Sequence, residues 1–114
     1  MAEVDRKWIE SALQKGVKNF ADMDLSKINL SYLDFTGCNL HGCNLQDTNL
    51  TGSILDKSDL SWAKLEGTTL DAVKASDTVL YKAKTSKDLT AKKDVTEDTT
   101  LKDMQVKDSS LESK

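Results

Sequence analysis

The 114-residue sequence predicts an all-β solenoid closed at its N-terminal end by an α-helix, and three observations carry that expectation. From Phe20 onward a large apolar residue returns every five positions. Two residues before each of them stands a second, mostly small residue. The positions between and after are polar or turn-forming. A period of five matches neither the 3.6 of a helix nor the 2 of a long strand. It matches a short strand, with two inward positions flanking one outward position, followed by a two-residue corner.

The large positions form the expected core ladder: Phe20, Leu25, Leu30, Phe35, Leu40, Leu45, Leu50, Leu55, Leu60, Leu65 and Leu70. Ala75 interrupts it and Leu80 resumes it. The second inward set begins with Met23, Ile28 and Leu33. It continues through Cys38, Cys43, Thr48, Ser53, Ser58, Ala63, Thr68, Val73, Thr78 and Ala83, small throughout except at Val73. A narrow interior demands such a set. The residue between the two inward positions is mostly polar, as in Asp24, Asn29, Asp34, Asn39, Asn44, Asn49 and Asp59. The corners are rich in Ser, Thr, Gly, Asp and Lys, which is turn chemistry.

Segments such as CNLHG, CNLQD, TNLTG, SDLSW and AKLEG give the series its character. Over about residues 19–85 it resembles the pentapeptide-repeat family, whose motif is approximately Ala-Asp/Asn-Leu-x-x. The resemblance implies a right-handed quadrilateral β-helix. Ile54, Lys64, Lys74 and Val79 depart from the Asp/Asn slot, and Ala75 is a small centre. With four pentapeptides to a square turn, residues twenty apart stack, so that Phe20, Leu40, Leu60 and Leu80 make one inner column. About 3.5 to 4.5 coils are expected, each adding about 4.8 Å of height.

A solenoid exposes its core at both ends and needs terminal caps. Residues 1–18 supply a candidate capping helix, with Val4, Trp8, Ile9, Ala12 and Leu13 on one face and a C-terminal stop at Gly16 and Val17. The large residues Met23, Ile28 and Leu33 of the first coil are expected to meet Trp8 and Leu13. Residues 86–114 are polar, and the old frame would turn Asp88, Lys93 and Asp98 inward. Leu101, Val106 and Leu111 restore the spacing of five, with Thr99, Met104 and Ser109 two residues before each, in a frame moved by one. High polarity favours a flexible tail and the restored spacing a degenerate last coil; the sequence leaves both open.

Nineteen acidic and sixteen basic residues give a net charge of −3 with the signs interspersed. That is no surface for nucleic acid, which needs a concentrated basic field. No apolar run is long enough for a membrane span, and the start MAEVDRKWIE is charged where a signal peptide is apolar, so a cytoplasmic protein is expected. The stretch GCNLHGCN, residues 37–44, gathers Cys38, His41 and Cys43, but the period turns both thiols inward and His41 outward. Neither a metal site nor a disulfide is expected, since a zinc site needs converging ligands and a bridge needs converging Cβ atoms. No cofactor is implied, and no nucleophile with a base, carboxylate pair or phosphate loop points to an enzyme.

One outer wall is different. Stacking by twenty places His41, Ser61 and Tyr81 in one column and Gly42, Trp62 and Lys82 in the next. His41, Trp62, Tyr81 and Lys82 form the candidate interaction surface, with Trp62 either an anchor for a partner or a cover over Gly42. The expected function is a structural and protein-interaction module, monomeric or a weak homodimer, with no chemistry of its own. The family resemblance implies one alternative, a DNA-mimicking modulator of a type II topoisomerase. That role wants a long and strongly acidic rod, whereas nine acidic and six basic residues over 19–85 leave only −3.

Overall fold

The computed structural model describes residues 4–85. Helix α1 spans Arg6–Gln14. Asp5 opens it by accepting a hydrogen bond from the Trp8 amide at 2.9 Å, satisfying one of the orphan N–H groups of the first turn. It ends in a Schellman turn, in which Val17 N donates to Ala12 O and Gly16 N donates to Leu13 O, both at 3.0 Å. Gly16 stands at φ 82°, a conformation that costs glycine nothing.

From Asn19 the chain stacks on itself at a separation of twenty residues. Parallel bridges join Asn19 to Asn39, Asn39 to Asp59 and Asp59 to Val79 on one side. The other sides obey the same rule, as in Asp24 to Asn44, Asn29 to Asn49 and Asp34 to Ile54. Two short strands, β1 (Lys64–Leu65) and β2 (Lys84–Thr85), pair in parallel with Lys64 opposite Lys84. Regular strand is scarce because a five-residue unit leaves room for only one or two ladder residues before it turns. Twenty is four fives, so each unit forms one side and the chain returns above itself after four.

Residues 40–44 show where the backbone donors go. Leu40 N donates to Asp59 O at 2.8 Å and Gly42 N to Ser61 O at 2.9 Å, both toward the following coil. Asn44 N donates to Met23 O at 3.0 Å in the preceding coil, and Cys43 N closes the corner on Leu40 O at 3.1 Å. His41 N, the fifth amide, is taken by Asn39 Oδ1 at 3.0 Å. All five donors are satisfied, as a buried backbone requires.

The Asp/Asn slot therefore serves the corner. Asn19, Asp24, Asn29, Asp34, Asn39, Asn44, Asn49 and Asp59 each accept from the amide two residues on. Ser26 Oγ and Thr36 Oγ1 donate to Asp24 and Asp34 as well. Those hydroxyl bonds, with the amide bonds beside them, hold both carboxyls below their ordinary value of 3.8. Where Lys74 fills the slot, Asp56 of the preceding coil substitutes, its Oδ1 accepting from Ser76 N at 2.8 Å.

Every corner from Asp22 to Lys82 places its second residue at positive φ, the signature of a type II turn. Glycine fills only Gly37, Gly42, Gly52 and Gly67 of these positions; Lys27, Tyr32, Lys57, Trp62 and Ala72 are among the residues held there without its freedom. Such a conformation costs an ordinary residue roughly 1–2 kcal/mol, so the stacked register, not local preference, imposes it.

The interior is one continuous core. Every member of the ladder, from Phe20 to Leu80 and including Ala75, is buried, and so are Cys38, Cys43, Thr48, Ser53, Ser58, Ala63, Thr68, Val73, Thr78 and Ala83. Phe20 and Phe35 meet edge to face at 6.3 Å. Thr48, Thr68 and Thr78 donate their hydroxyls to Leu25 O, Leu45 O and Leu55 O at 2.7, 2.6 and 2.7 Å. Ser53 Oγ, in register between Leu33 and Val73, has no partner among the described residues. Ser53→Ala is therefore expected to raise the unfolding free energy by about 1 kcal/mol, because an unmet buried hydroxyl is costly. A urea titration checks it; a lower midpoint with unchanged slope would mean that the hydroxyl is bonded.

Helix α1 lies against this core through Ile9 and Ala12, which are buried, and through the partly buried Leu13, with Val4 ahead of the helix packed there too, beside Met23, Ile28 and Leu33. Trp8 is the exception to the expected apolar face. It is 40 % exposed, because the face that docks is centred on Ile9, Ala12 and Leu13, and Trp8 lies at its margin. Leu13, rather than Trp8, joins the large first-coil residues. The expectations at Leu101, Val106 and Leu111, and at Thr99, Met104 and Ser109, lie outside the described residues.

Candidate functional site

The wall built from residues 39–44, 59–64 and 79–84 carries the candidate surface. Stacking by twenty brings His41 above the column of Ser61, and their side chains meet, His41 Nδ1 to Ser61 Oγ at 2.8 Å. Ser61 Oγ gives its single proton to Asp59 Oδ1 at 2.7 Å, and Ser61 N binds the same oxygen at 2.9 Å. With the serine proton committed, His41 Nδ1 is the donor in the first bond, which fixes its tautomer. Sequence reasoning missed this relay, although the separation of twenty between positions 41 and 61 was the signal for it. The order of groups is not that of a nucleophilic triad. There the base takes the serine proton and the carboxylate orients the base, whereas here the carboxylate holds a buried serine and the histidine stands outside.

Trp62 and Tyr81 form a second unit beside it. Their rings meet edge to face with centroids 6.5 Å apart and planes at 78°. Lys82 Nζ stands 6.0 Å from the Trp62 ring and 5.8 Å from the Tyr81 ring. The backbone ties the two residues as well, Trp62 N donating to Tyr81 O at 2.8 Å. Trp62 remains 54 % exposed and Tyr81 39 %. An aromatic pair of this kind is worth about 0.5–1.5 kcal/mol beyond its buried area and an exposed cation over a ring about 0.5–1 kcal/mol. The large ring is therefore held in place while most of it faces outward.

The sequence leaves Trp62 two roles, an anchor for a partner or a cover over Gly42. Trp62 does not cover Gly42: the Asp22 carboxylate occupies the space that a Cβ on Gly42 would need, and Trp62 leans on Tyr81 instead. The aromatic that does lie over a glycine is Tyr32, whose ring fills the corresponding space above Gly52 and whose own exposure is 74 %. It was absent from the candidate set because a lone Tyr at a corner carries no sequence signal. Of the four candidate residues, Trp62, Tyr81 and Lys82 come together, while the side-chain bond of His41 goes to Ser61.

The two thiols are set apart from this wall. Cys38 and Cys43 are both free and buried, and Cys43 Sγ donates to Phe20 O at 2.9 Å. Burial pushes the Cys43 thiol up to about 11 and raises Cys38 in the same direction, so neither is a ready thiolate ligand or nucleophile. Among the described residues no group of three His, Cys, Asp or Glu side chains is placed to hold a metal ion. One further concavity is an open groove of about 490 Å³ between α1 and the first coil, lined by Glu10, Leu13, Gln14, Lys18, Tyr32, Leu33 and Asp34.

The family model for pentapeptide repeats matches residues 19–52 and 34–71, with eight copies. The repeat region belongs to the pentapeptide-repeat family. Its β-solenoid is the fold that family membership implies. Among solved structures, the pentapeptide repeat protein alr5209 from Nostoc Pcc 7120 is similar at 20 % identity, over 90 % of this chain and 96 % of that one. Its TM-score is 0.38, and no detail of the pentapeptide-repeat wall is taken from it. No curated protein matches the chain significantly.

Proposed function

We propose that this pentapeptide-repeat protein is a non-enzymatic interaction module, a right-handed quadrilateral β-helix of about 3.5 to 4.5 coils at about 4.8 Å each. In this reading α1 caps one end, the protein is a monomer or weak homodimer in the cytoplasm, and the Trp62 wall receives a protein partner. The observation that carries it is the exposed Trp62 ring, fixed from the side by Tyr81 and Lys82 on a backbone that is hydrogen-bonded above and below. A rigid, partly desolvated aromatic flanked by a cation is what protein interfaces use as an anchor. Ser61, the hydroxyl bonded to His41, is committed to Asp59, which supports the absence of chemistry.

The test uses proteins cross-linked to the full chain in the cells it comes from, followed by a measured affinity for the recovered partner. Trp62→Ala is expected to weaken that affinity by about 2 kcal/mol, a factor of roughly thirty, and to lower the unfolding free energy by about 1–2 kcal/mol through the lost contacts with Tyr81 and Lys82, so binding is measured well below the thermal midpoint of the variant. An affinity unchanged by Trp62→Ala and by Tyr81→Ala would sink the proposal.

A further inference from the structure

On one side of the solenoid lysine stands twice in the slot that elsewhere serves the corner. Asp24 and Asn44 fill it in the first two coils and accept from the amides of Ser26 and Gln46. Lys64 and Lys84 follow in the same column, paired in parallel register in β1 and β2. A lysine side chain has no acceptor, so neither can serve its corner as Asn44 does. The two ammonium groups are also set opposite one another across the ladder, where like charges destabilise. Both side chains are exposed, and no carboxylate among the described residues pairs with either. Lys74, another lysine in such a slot, has no like charge beneath it: its ladder partner is Ile54, and Asp56 restores the corner bond. The fold gains nothing from the stack of Lys64 and Lys84 and is weakened by it.

The stack flanks the exposed indole. Trp62 precedes Lys64 by two residues and Lys82 precedes Lys84 by two. One edge of the solenoid therefore carries Trp62 beneath Lys82 and Lys64 beneath Lys84, in coils about 4.8 Å apart. The nearby carboxylates of the same coil are turned to other partners. Asp59 Oδ1 holds Ser61, and Glu66 Oε1 accepts from Gln46 Nε2 at 3.1 Å. Cations and an anchored aromatic meet on a single edge.

We infer that this edge receives an acidic stretch of a protein partner, with carboxylates against Lys64 and Lys84 and an apolar side chain against Trp62. The inference rests on the reading that the Trp62 wall docks a protein, and it adds the chemistry of what docks. Charge complementarity selects the class. A carboxylate between the two ammonium groups turns their repulsion into attraction. A duplex nucleic acid carries phosphate along its whole length and needs a basic field to match. Here the exposed Asp22, Asp24 and Asp47 stand on the same two walls in the preceding coils and oppose it. A short acidic segment needs only the edge itself.

Titration of the full chain, read by NMR at the Trp62 indole N–H with Trp8 as internal reference, tests it. The probes are two capped hexapeptides, one alternating glutamate with leucine and one alternating lysine with leucine. The glutamate peptide is expected to shift the Trp62 resonance saturably and the lysine peptide to leave it in place. Lys64→Glu with Lys84→Glu keeps a like-charged stack, and with it the stability of the ladder, but is expected to weaken the glutamate peptide roughly tenfold or more. Lys27→Glu with Lys57→Glu makes the same change in net charge at other corners and is expected to stay within about twofold. Lys84→Glu alone sets a carboxylate opposite Lys64. It is expected to raise the thermal midpoint by about 1–3 °C while weakening the peptide about threefold. The inference is overturned by no shift with the glutamate peptide, by an equal shift with the lysine peptide, or by an affinity that the Lys64→Glu and Lys84→Glu pair leaves unchanged. Duplex DNA that binds this edge more tightly than the glutamate peptide overturns it too. A cross-linked partner that is lost on Trp62→Ala yet indifferent to the two lysine substitutions preserves the Trp62 anchor and ends the acidic partner.

Discussion

Leu40→Ala is expected to lower the unfolding free energy by about 3 kcal/mol and the thermal midpoint by about 15 °C. Leu40 is fully inside the interior, in the column between Phe20 and Leu60, both buried. In an ordinary globular core neighbouring side chains close part of the space left by a truncation. Here each ladder residue hangs from a backbone fixed above and below, Leu40 itself through its amide to Asp59 O at 2.8 Å. The coils cannot slide together to fill the gap, so the lost transfer energy is joined by most of the cavity term. In a stacked repeat the loss also weakens two interfaces, since each coil is stabilised chiefly by its neighbours. Urea unfolding of the full chain measures the effect, with Lys74→Ala, an exposed outward position, as the comparison expected to stay within about 0.5 kcal/mol. A Leu40→Ala cost below about 1 kcal/mol would contradict a rigid stacked core.

The direction of nearly every side chain between Phe20 and Ala83 was legible because a period of five has one simple geometric meaning. Leu40 and Cys43 point inward for the same reason that Asn39 does not, and no tertiary information is needed to say so. What the period does not encode is lateral choice. Whether Trp62 lies toward Gly42 or toward Tyr81 is a matter of rotamer, settled by the Asp22 carboxylate already against Gly42 and by the ring of Tyr81. The relay from His41 through Ser61 to Asp59 needs both the separation of twenty and the knowledge that Ser61 is already held by its own Asx slot. The corner conformation was hidden for another reason. Gly37, Gly42, Gly52 and Gly67 mark the position, but Lys27, Tyr32, Lys57, Trp62 and Ala72 have no preference for positive φ, so at those corners the constraint comes from closing the square and residue type does not show it. At α1, an amphipathic pattern located the docking face only to within one residue, which is why Trp8 stands at its rim.

Ile9→Asp is the second large effect, expected to cost about 4 kcal/mol and to change the solution behaviour of the protein. Ile9 is fully buried among the residues that join α1 to the first coil. A carboxylate there would be buried in an apolar cluster, and the nearby Arg6 is already bound to Glu10 at 2.8 Å and to the carbonyls of Asn29 and Ser31. The charged side chain therefore reaches water by undocking the helix. Undocking removes the cover from Phe20, Met23, Ile28 and Leu33 and withdraws Arg6 from the two carbonyls at once. The result is a solenoid end with exposed apolar side chains and unpaired acceptors, the combination that drives edge-to-edge association. Two readouts follow, a lower urea midpoint and a concentration-dependent increase in mass by light scattering. Arg6→Ala separates the contributions, since it frees the carbonyls while leaving Ile9 docked. It is expected to cost about 1 kcal/mol and to leave the protein monomeric. If Ile9→Asp unfolded within about 1 kcal/mol of the parent and stayed monomeric, α1 would not be closing the end of the solenoid.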